Sequence, residues 1–218
     1  MASYNPTETE REVKESLLGF YRGIVADNND PDKAGRVRVR VVPFFDGVPT
    51  PDLPWAIYAD SMMGGLANNG SLLVPEIDSH VFIFFENGDH RYPVYFASAP
   101  AIQGGVPDVP TVSRETDASS SNDYAAEYPH NKVIRTISGI TIELDDTPTN
   151  ERIHLYHPSG SRIEMVVGGK INIVAAGDVN ITGDVVVSGD VVVDGISFKT
   201  HVHTIQSGSS AGDTDIAK

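Results

Sequence analysis

The chain has no cysteine among its 218 residues. This absence excludes disulfides and thiolate metal sites and fits folding in a reducing cytoplasm. Aromatic residues make up only 8% of the chain, and no apolar run approaches the roughly 18 residues that a membrane-spanning helix needs. Residues 1–18 are charged and lack the apolar segment of a signal peptide. We therefore expect neither redox chemistry nor stable insertion into a membrane.

Basic residues are scarce. Sixteen Lys and Arg residues stand against thirty Asp and Glu residues, which gives a formal net charge of −14. Such a charge repels phosphate backbones, so we expect no nucleic-acid partner, although acidity also simply keeps proteins soluble. The sequence contains no Gly-x-Ser-x-Gly, phosphate-loop or zincin motif. The prediction is therefore no enzyme, no catalytic residues and no small-molecule substrate.

Turn-forming residues divide most of the chain into short β-rich runs. Residues 1–19 are expected to form a helical arm, and five runs within residues 20–100 predict a small barrel. In Gly35–Val41, strict alternation places three valines on one face and three arginines on the other. The arginine stripe could be an anion or oligonucleotide site of an OB-fold, but in so acidic a chain a solvated or partner-facing strand is favoured. Residues 101–130 are typical of a linker.

A glycine repeat marks the C-terminal part of the chain. Glycine recurs every six residues at Gly177, Gly183, Gly189 and Gly195, a period typical of stacked β coils. Between residues 163 and 193 the odd positions are mostly apolar and the even positions mostly polar. Three or four such units are too few to close a solenoid in one chain, whereas three chains around one axis would bury the apolar face. Residues 131–198 are therefore predicted to form an intertwined triple-stranded β-helix, a homotrimer.

Two stretches resemble known proteins. The first includes Gly23–Asp27, Gly35–Val39, Pro54–Ala56 and Phe84–Asp89. It resembles the OB-fold domain of phage baseplate spike proteins (the baseplate assembly protein V family) and of the valine-glycine repeat spikes of type VI secretion. The second stretch, Asn131–Ser161, is similar to the start of the spike β-helix in those families.

The resemblance implies an all-β protein with an OB-fold collar over residues 20–100, bound to a baseplate hub, followed by the β-helix needle. Its implied function is to pierce the target cell envelope on sheath contraction. The implied location is the virion, at the tip of the tail baseplate, after synthesis in the host cytoplasm. Some relatives carry a lysozyme domain between barrel and needle, but here residues 101–130 are too few for one.

Three alternatives remain open. The first is an OB-fold module that binds glycans or nucleic acid and is carried on a trimerisation stalk. The second is the spike of a bacteriocin or a type VI secretion machine. The third is a left-handed β-helix of the hexapeptide-repeat acyltransferases, which would bind coenzyme A and needs many more six-residue units.

The last segment, residues 199–218, carries a candidate metal site. His201 and His203 have the i, i+2 spacing that places two side chains on the same face of a strand. One chain offers two imidazole nitrogens, and a threefold axis multiplies them to six, an octahedral set. The resemblance to phage spike tips names the metal as iron, one ion per trimer. Without a trimer, the two histidines would simply lie in a polar tail.

Two other groups of polar residues are expected to be structural. His154 and His157 should point to opposite faces of one strand, which disfavours a shared metal. Asp145, Asp146 and Glu151 could bind a cation or act as an acid and base pair, but a solvated turn is favoured.

Overall fold

The computed structural model describes residues 17–59, 65–111 and 127–202. Within these ranges the protein has fourteen β-strands and two short 3-10 helices, so the described part of the chain is all-β as predicted. Most of the expected helical arm, residues 1–16, lies outside the described residues.

The five β-rich runs of the N-terminal region form a closed barrel in the order β1-β2-β3-β5-β4. The strands are β1 (Tyr21–Asp27), β2 (Val37–Arg40), β3 (Trp55–Tyr58), β4 (His80–Phe85) and β5 (Pro93–Ser98). Strand β3 pairs with β5 in parallel, and the other neighbours pair antiparallel. This five-stranded barrel confirms the predicted OB-like domain.

Alternation along each strand fills the interior of the barrel. In β2 the side chains of Val37 and Val39 are buried, and in β4 those of Val81, Ile83 and Phe85 are buried. The core is completed by residues from the other strands and loops, including Leu17, Val25, Val41, Phe45, Leu53, Ala56 and Tyr95.

Gly23 in β1 marks the tightest approach across the barrel. A Cβ atom at this position would lie 2.3 Å from Cγ1 of Val39, which no real side chain tolerates. Glycine is therefore required here for strand β1 to pack against strand β2.

The expected linker is partly structured. Two short strands, β6 (Ile102–Gln103) and β7 (Val106–Pro107), form a hairpin around Gly104 and Gly105. Both glycines have positive φ, which the tight turn requires. Residues 112–126 of the predicted linker lie outside the described residues.

A second sheet follows, in the order β12-β11-β10-β9-β8. Its strands are β8 (Asn131–Arg135), β9 (Thr141–Asp145), β10 (Arg152–Tyr156), β11 (Arg162–Val166) and β12 (Lys170–Val174). Each strand pairs antiparallel with its neighbour in sequence. Within one chain, residues 131–174 thus form a meander, and winding of three chains around each other stays a prediction.

The glycine repeat lies beyond this sheet. Residues 175–191 have no regular strand, and a short hairpin follows, formed by β13 (Val192–Val193) and β14 (Ile196–Ser197). Asp194 and Gly195 have φ of 48° and 82°, the left-handed pair typical of a two-residue hairpin turn.

Candidate functional site

One face of the second sheet is apolar and uncovered. Strand pairing sets its side chains in two rows across the five strands, one on each side of the central row of the sheet. The nine apolar members of these rows are Ile134, Ile142, Leu155, Ile163, Ile173, Leu144, Ile153, Met165 and Ile171. Their exposed fractions run from 40% at Ile163 to 63% at Ile134. Contiguous exposed apolar surfaces of this kind are characteristic of protein–protein interfaces.

The opposite face of the same sheet is polar and buried. Its central row runs from Glu143 in β9 through His154 in β10 to Glu164 in β11 and Asn172 in β12. His154 is 0% exposed and Glu143 is 1% exposed. An antiparallel sheet with one solvated face usually buries its apolar side, whereas in this chain the polar side is buried and the apolar side is exposed.

The buried charges on this face are paired. Arg152 donates from Nη2 to Oε2 of Glu143 at 3.1 Å, and Asn131 donates from Nδ2 to Oε1 of Glu143 at 3.2 Å. Burial alone would raise the pKa of Glu143, but the hydrogen bond with His154, the charge of Arg152 and the hydrogen bond from Asn131 hold that pKa below its usual value. Glu143 is therefore ionised at neutral pH.

The expectation of a solvated turn at Asp145 is wrong. Its side chain is 1% exposed, accepts hydrogen bonds from the backbone N–H and hydroxyl of Thr147, and lies 3.8 Å from Nε of Arg152. Asp145 is the last residue of β9, and it faces inward because it shares a face with Glu143. Asp146 and Glu151 are exposed as expected, and Asp146 pairs with Lys132.

His154 and His157 lie apart as predicted. His154 is buried in the polar face, whereas His157 is exposed just after β10, where its Nδ1 lies 2.7 Å from the hydroxyl of Ser159. They do not share a site.

The three arginines of the stripe along β2 bind groups within the barrel domain. Arg36 binds Asp30 at 2.6 Å, Arg38 donates to the carbonyl of Thr50 at 2.8 Å, and Arg40 donates to the carbonyl of Val48 at 2.8 Å. The hydrogen bond from Arg36 is the main reason that the pKa of Asp30 lies far below its usual value. Because all three guanidinium groups have partners in the chain, the stripe is poorly suited to bind a phosphate.

The barrel has an aromatic surface outside its core, which we call the Phe patch: Phe20, Phe82, Phe84 and Phe96. The ring of Phe20 lies 5.2 Å from that of Phe96, and Phe20 is 72% exposed. Arg22 stacks on Phe82, with its guanidinium carbon 5.0 Å from the ring centre. The sequence gives a signal for this surface, because Phe82 and Phe84 occupy the outward positions of β4.

The predicted metal ligands are only partly described. His201 follows a turn after β14, and its Nδ1 lies 3.0 Å from the carbonyl oxygen of Phe198. A carbonyl can only accept, so Nδ1 carries the proton, and the neutral ring then has its lone pair on Nε2. This tautomer fits a metal ligand whose other nitrogen is held by the backbone. His203 lies outside the described residues.

Within residues 17–59, 65–111 and 127–202, no group of three or more His, Asp or Glu side chains is placed to hold a metal ion. In the same part of the chain, no helix is long and apolar enough to cross a membrane.

The barrel is similar to a domain of known proteins. Residues 21–99 match the type VI secretion system/phage-baseplate injector OB domain. Protein Gp5 of Vibrio phage KVP40 is 39% identical over 27% of this chain and 18% of its own length. The pre-baseplate central spike protein Gp5 of Enterobacteria phage T4 is 38% identical over 29% of this chain and 11% of its own length.

The aligned part of this chain thus spans less than a fifth of either relative. Residues 21–99 of this chain are therefore similar to the injector OB domain of phage baseplates and type VI secretion systems. This confirms the resemblance drawn from the N-terminal motifs.

Proposed function

We propose that this protein is the central spike of a contractile injection machine, located in the virion at the tip of a phage tail baseplate. The observation that carries the proposal is the closed barrel of residues 21–99, which matches the injector OB domain. The relative from phage T4 is named a pre-baseplate central spike protein, which favours a phage tail. The family description also includes type VI secretion, so a secretion spike is the second candidate.

The proposed needle is a homotrimer built from residues 131–198. Support comes from the apolar sheet face, whose nine side chains are about half exposed in one chain. Burying such a face against two further copies is the simplest way to cover it, because identical surfaces then meet around a single axis. The same holds for the glycine repeat, where Ile181 is 65% exposed and Val187 is 47% exposed.

The proposed action is mechanical. A narrow trimeric prism concentrates the force of sheath contraction on the target cell envelope. The buried ion pair of Arg152 with Glu143 and the hydrogen bond between His154 and Glu143 join neighbouring strands and would stiffen each wall of such a prism. We assign no catalytic residue to this role.

The collar is proposed to bind a baseplate hub protein through the Phe patch. Aromatic side chains are enriched at the centres of protein interfaces, where they bury a large area at a low cost in conformational entropy. Arg22 beside Phe82 adds a positive charge that fits a carboxylate on the partner.

The tip is proposed to hold one iron ion per trimer through His201 and His203. The tautomer of His201 supports this proposal, and the ion would tie three chain ends together where fraying is otherwise expected. Bound iron would supply six metal–nitrogen bonds, with no chemistry on a substrate.

Co-expression with neighbouring sheath, tube and baseplate genes tests the function. Electron microscopy of assembled tails with a gold-labelled C-terminal tag should place the label at the tip of the baseplate. A label on the sheath or tail fibres, or tails that assemble without the protein, would contradict the proposal. A glycan and oligonucleotide binding screen distinguishes the spike from an OB-fold binding module.

A further inference from the structure

Two units of the glycine repeat are nearly identical in sequence. Residues 183–187 and 189–193 both consist of Gly-Asp-Val-Val-Val. If one chain of the proposed trimer slips by six residues, its Val187 takes the place of Val193, and valine still faces the interior. Apolar burial therefore distinguishes poorly between the correct alignment of three chains and a slipped one.

The repeat has no structure of its own that would oppose such a slip. Residues 177–189 form no hydrogen bond with any other residue in the described part of the chain. They also contain no strand. Their alignment with another chain must therefore be set by a neighbouring element.

Residues 190–201 form such an element, which we call the tip turn. The chain reverses at the β13–β14 hairpin, and the N–H of Phe198 then donates to the carbonyl oxygen of Val191 at 2.8 Å. The N–H of His201 donates to the carbonyl oxygen of Ser197 at 2.9 Å, which closes a second turn. The tip turn is thus folded within one chain, unlike the repeat before it.

Asp190 joins the two ends of the tip turn. Its Oδ1 accepts from the N–H of Lys199 at 3.0 Å. A hydrogen bond from the Ser197 side chain is the main reason that the pKa of Asp190 lies below its usual value. Asp184, the equivalent residue of the preceding unit, has no hydrogen-bond partner among the described residues. The same motif therefore has a different role in the tip turn.

The tip turn and the residue after it carry an exposed apolar surface. Ile196, Phe198 and Val202 are 59%, 58% and 55% exposed in one chain. Around a threefold axis, three copies of this surface lie next to one another at the end of the needle, where they can cover each other.

We propose, resting on the trimer proposed above, that the tip turn is a registration element that binds the tip turns of two further copies of this chain. A chain that slips by six residues sets its hairpin level with residues 186–191 of its neighbours, or beyond their ends. The three tip turns therefore meet only when the chains are correctly aligned. This device removes the ambiguity that the repeated valines create.

Refolding of the full-length chain tests the role of Asp190. The protein is refolded from denaturant with a chelator present, so that the proposed iron site does not contribute, and light scattering follows trimer formation. Asp190→Ala should form trimers at least about tenfold more slowly, because the tip turn loses a charged hydrogen bond before the chains assemble. Asp190→Asn keeps an acceptor oxygen and should recover most of the rate. Asp184→Ala is the matched control and should stay within about twofold of the unmodified protein.

Cysteine cross-linking measures the alignment directly, because the chain has no cysteine of its own. Ile181→Cys and Val187→Cys chains are refolded together in a glutathione buffer, and mass spectrometry identifies the linked peptides. A disulfide needs Cβ atoms about 4 Å apart, so correctly aligned chains link like positions, whereas a slip of six residues links position 181 to position 187. With Asp190→Ala in both chains, the mixed disulfide should increase at least about tenfold.

The outcomes separate the registration element from the trimer. A protein that stays monomeric without any mutation would refute the trimer itself. If Asp190→Ala forms trimers at the unmodified rate, or without more of the mixed disulfide, the trimer stands and the registration element is wrong, with the second sheet as the source of alignment. If Asp190→Ala does not fold, Ser197→Ala, which removes only the hydroxyl that binds Asp190, decides by the same two measurements.

Discussion

The replacement of Leu155 by Asp tests whether the apolar sheet face assembles the needle. Leu155 lies in the middle strand, β10, between Ile142 of β9 and Ile163 of β11. It is 42% exposed in one chain, although it occupies the centre of the face. In a trimer that buries this face, Leu155→Asp brings three carboxylates into a dry interior.

The size of the effect follows from the exposed area. Full burial of a large aliphatic side chain contributes about 1.5–3 kcal/mol, so covering the exposed half of nine such residues contributes roughly 7–14 kcal/mol per chain. Association costs about 4–15 kcal/mol in lost translational and rotational freedom. The surplus is small, whereas burying an unpaired carboxylate costs several kcal/mol in each chain. The single substitution Leu155→Asp should therefore be enough to prevent trimer formation.

Light scattering and sedimentation measure the outcome. The unmodified protein should have about three times the chain mass of 23.4 kDa, and Leu155→Asp should shift it to the mass of one chain. Ile137→Asp is the matched control, because Ile137 lies in the β8–β9 turn, is 84% exposed and is off the sheet face. A trimeric Leu155→Asp protein, or a stable monomer without any mutation, would refute the reasoning.

Four further predictions follow. Val187→Asp in the glycine repeat should also prevent trimerisation in light scattering, because Val187 is 47% exposed in one chain and is assigned to the trimer interior. Elemental analysis should find about one iron per three chains, and His201→Ala with His203→Ala should remove it while the trimer persists; metal retained by the double variant would exclude this site. Zymography should show no peptidoglycan hydrolysis, since residues 101–130 leave no room for a hydrolase domain, and a lytic band would contradict this. The pKa of Glu143 is lowered in the folded protein, so its ionised form stabilises the sheet at pH values above the usual pKa of a carboxyl group, and this stability is lost as the pH falls. In Glu143→Gln, acid unfolding followed by circular dichroism should therefore depend less steeply on pH.

The barrel could be predicted from the sequence because its signals are local. Alternation in β2 and β4 identifies the buried side of each strand, and Gly and Pro residues mark the ends. The partners of the arginines in β2 could not be predicted in this way. They are carbonyl groups and carboxylates in loops such as residues 45–50, and the loop conformation brings them near.

The polar face of the second sheet could not be predicted from the sequence either, because its contacts are not local. Glu143, His154 and Glu164 are ten or more residues apart in sequence and meet only through strand register. Their signal is that each occupies the middle of a strand with apolar residues at both neighbouring positions. The expectation of a solvated turn fails at Asp145 because its position two residues after Glu143 places it on the buried face of β9.

The two faces of the second sheet have different roles in the proposed trimer. Pairs within one chain, such as Arg152 with Glu143, join neighbouring strands of the polar face and so favour one strand register. Register in turn decides which side chains point to the other face, since a shift of one residue would turn Leu155 inward and His154 outward. The polar face therefore affects the orientation of the apolar side chains as well as the stability of the sheet. In the proposed trimer, it would present the three identical apolar faces in the same register, which a symmetric needle requires.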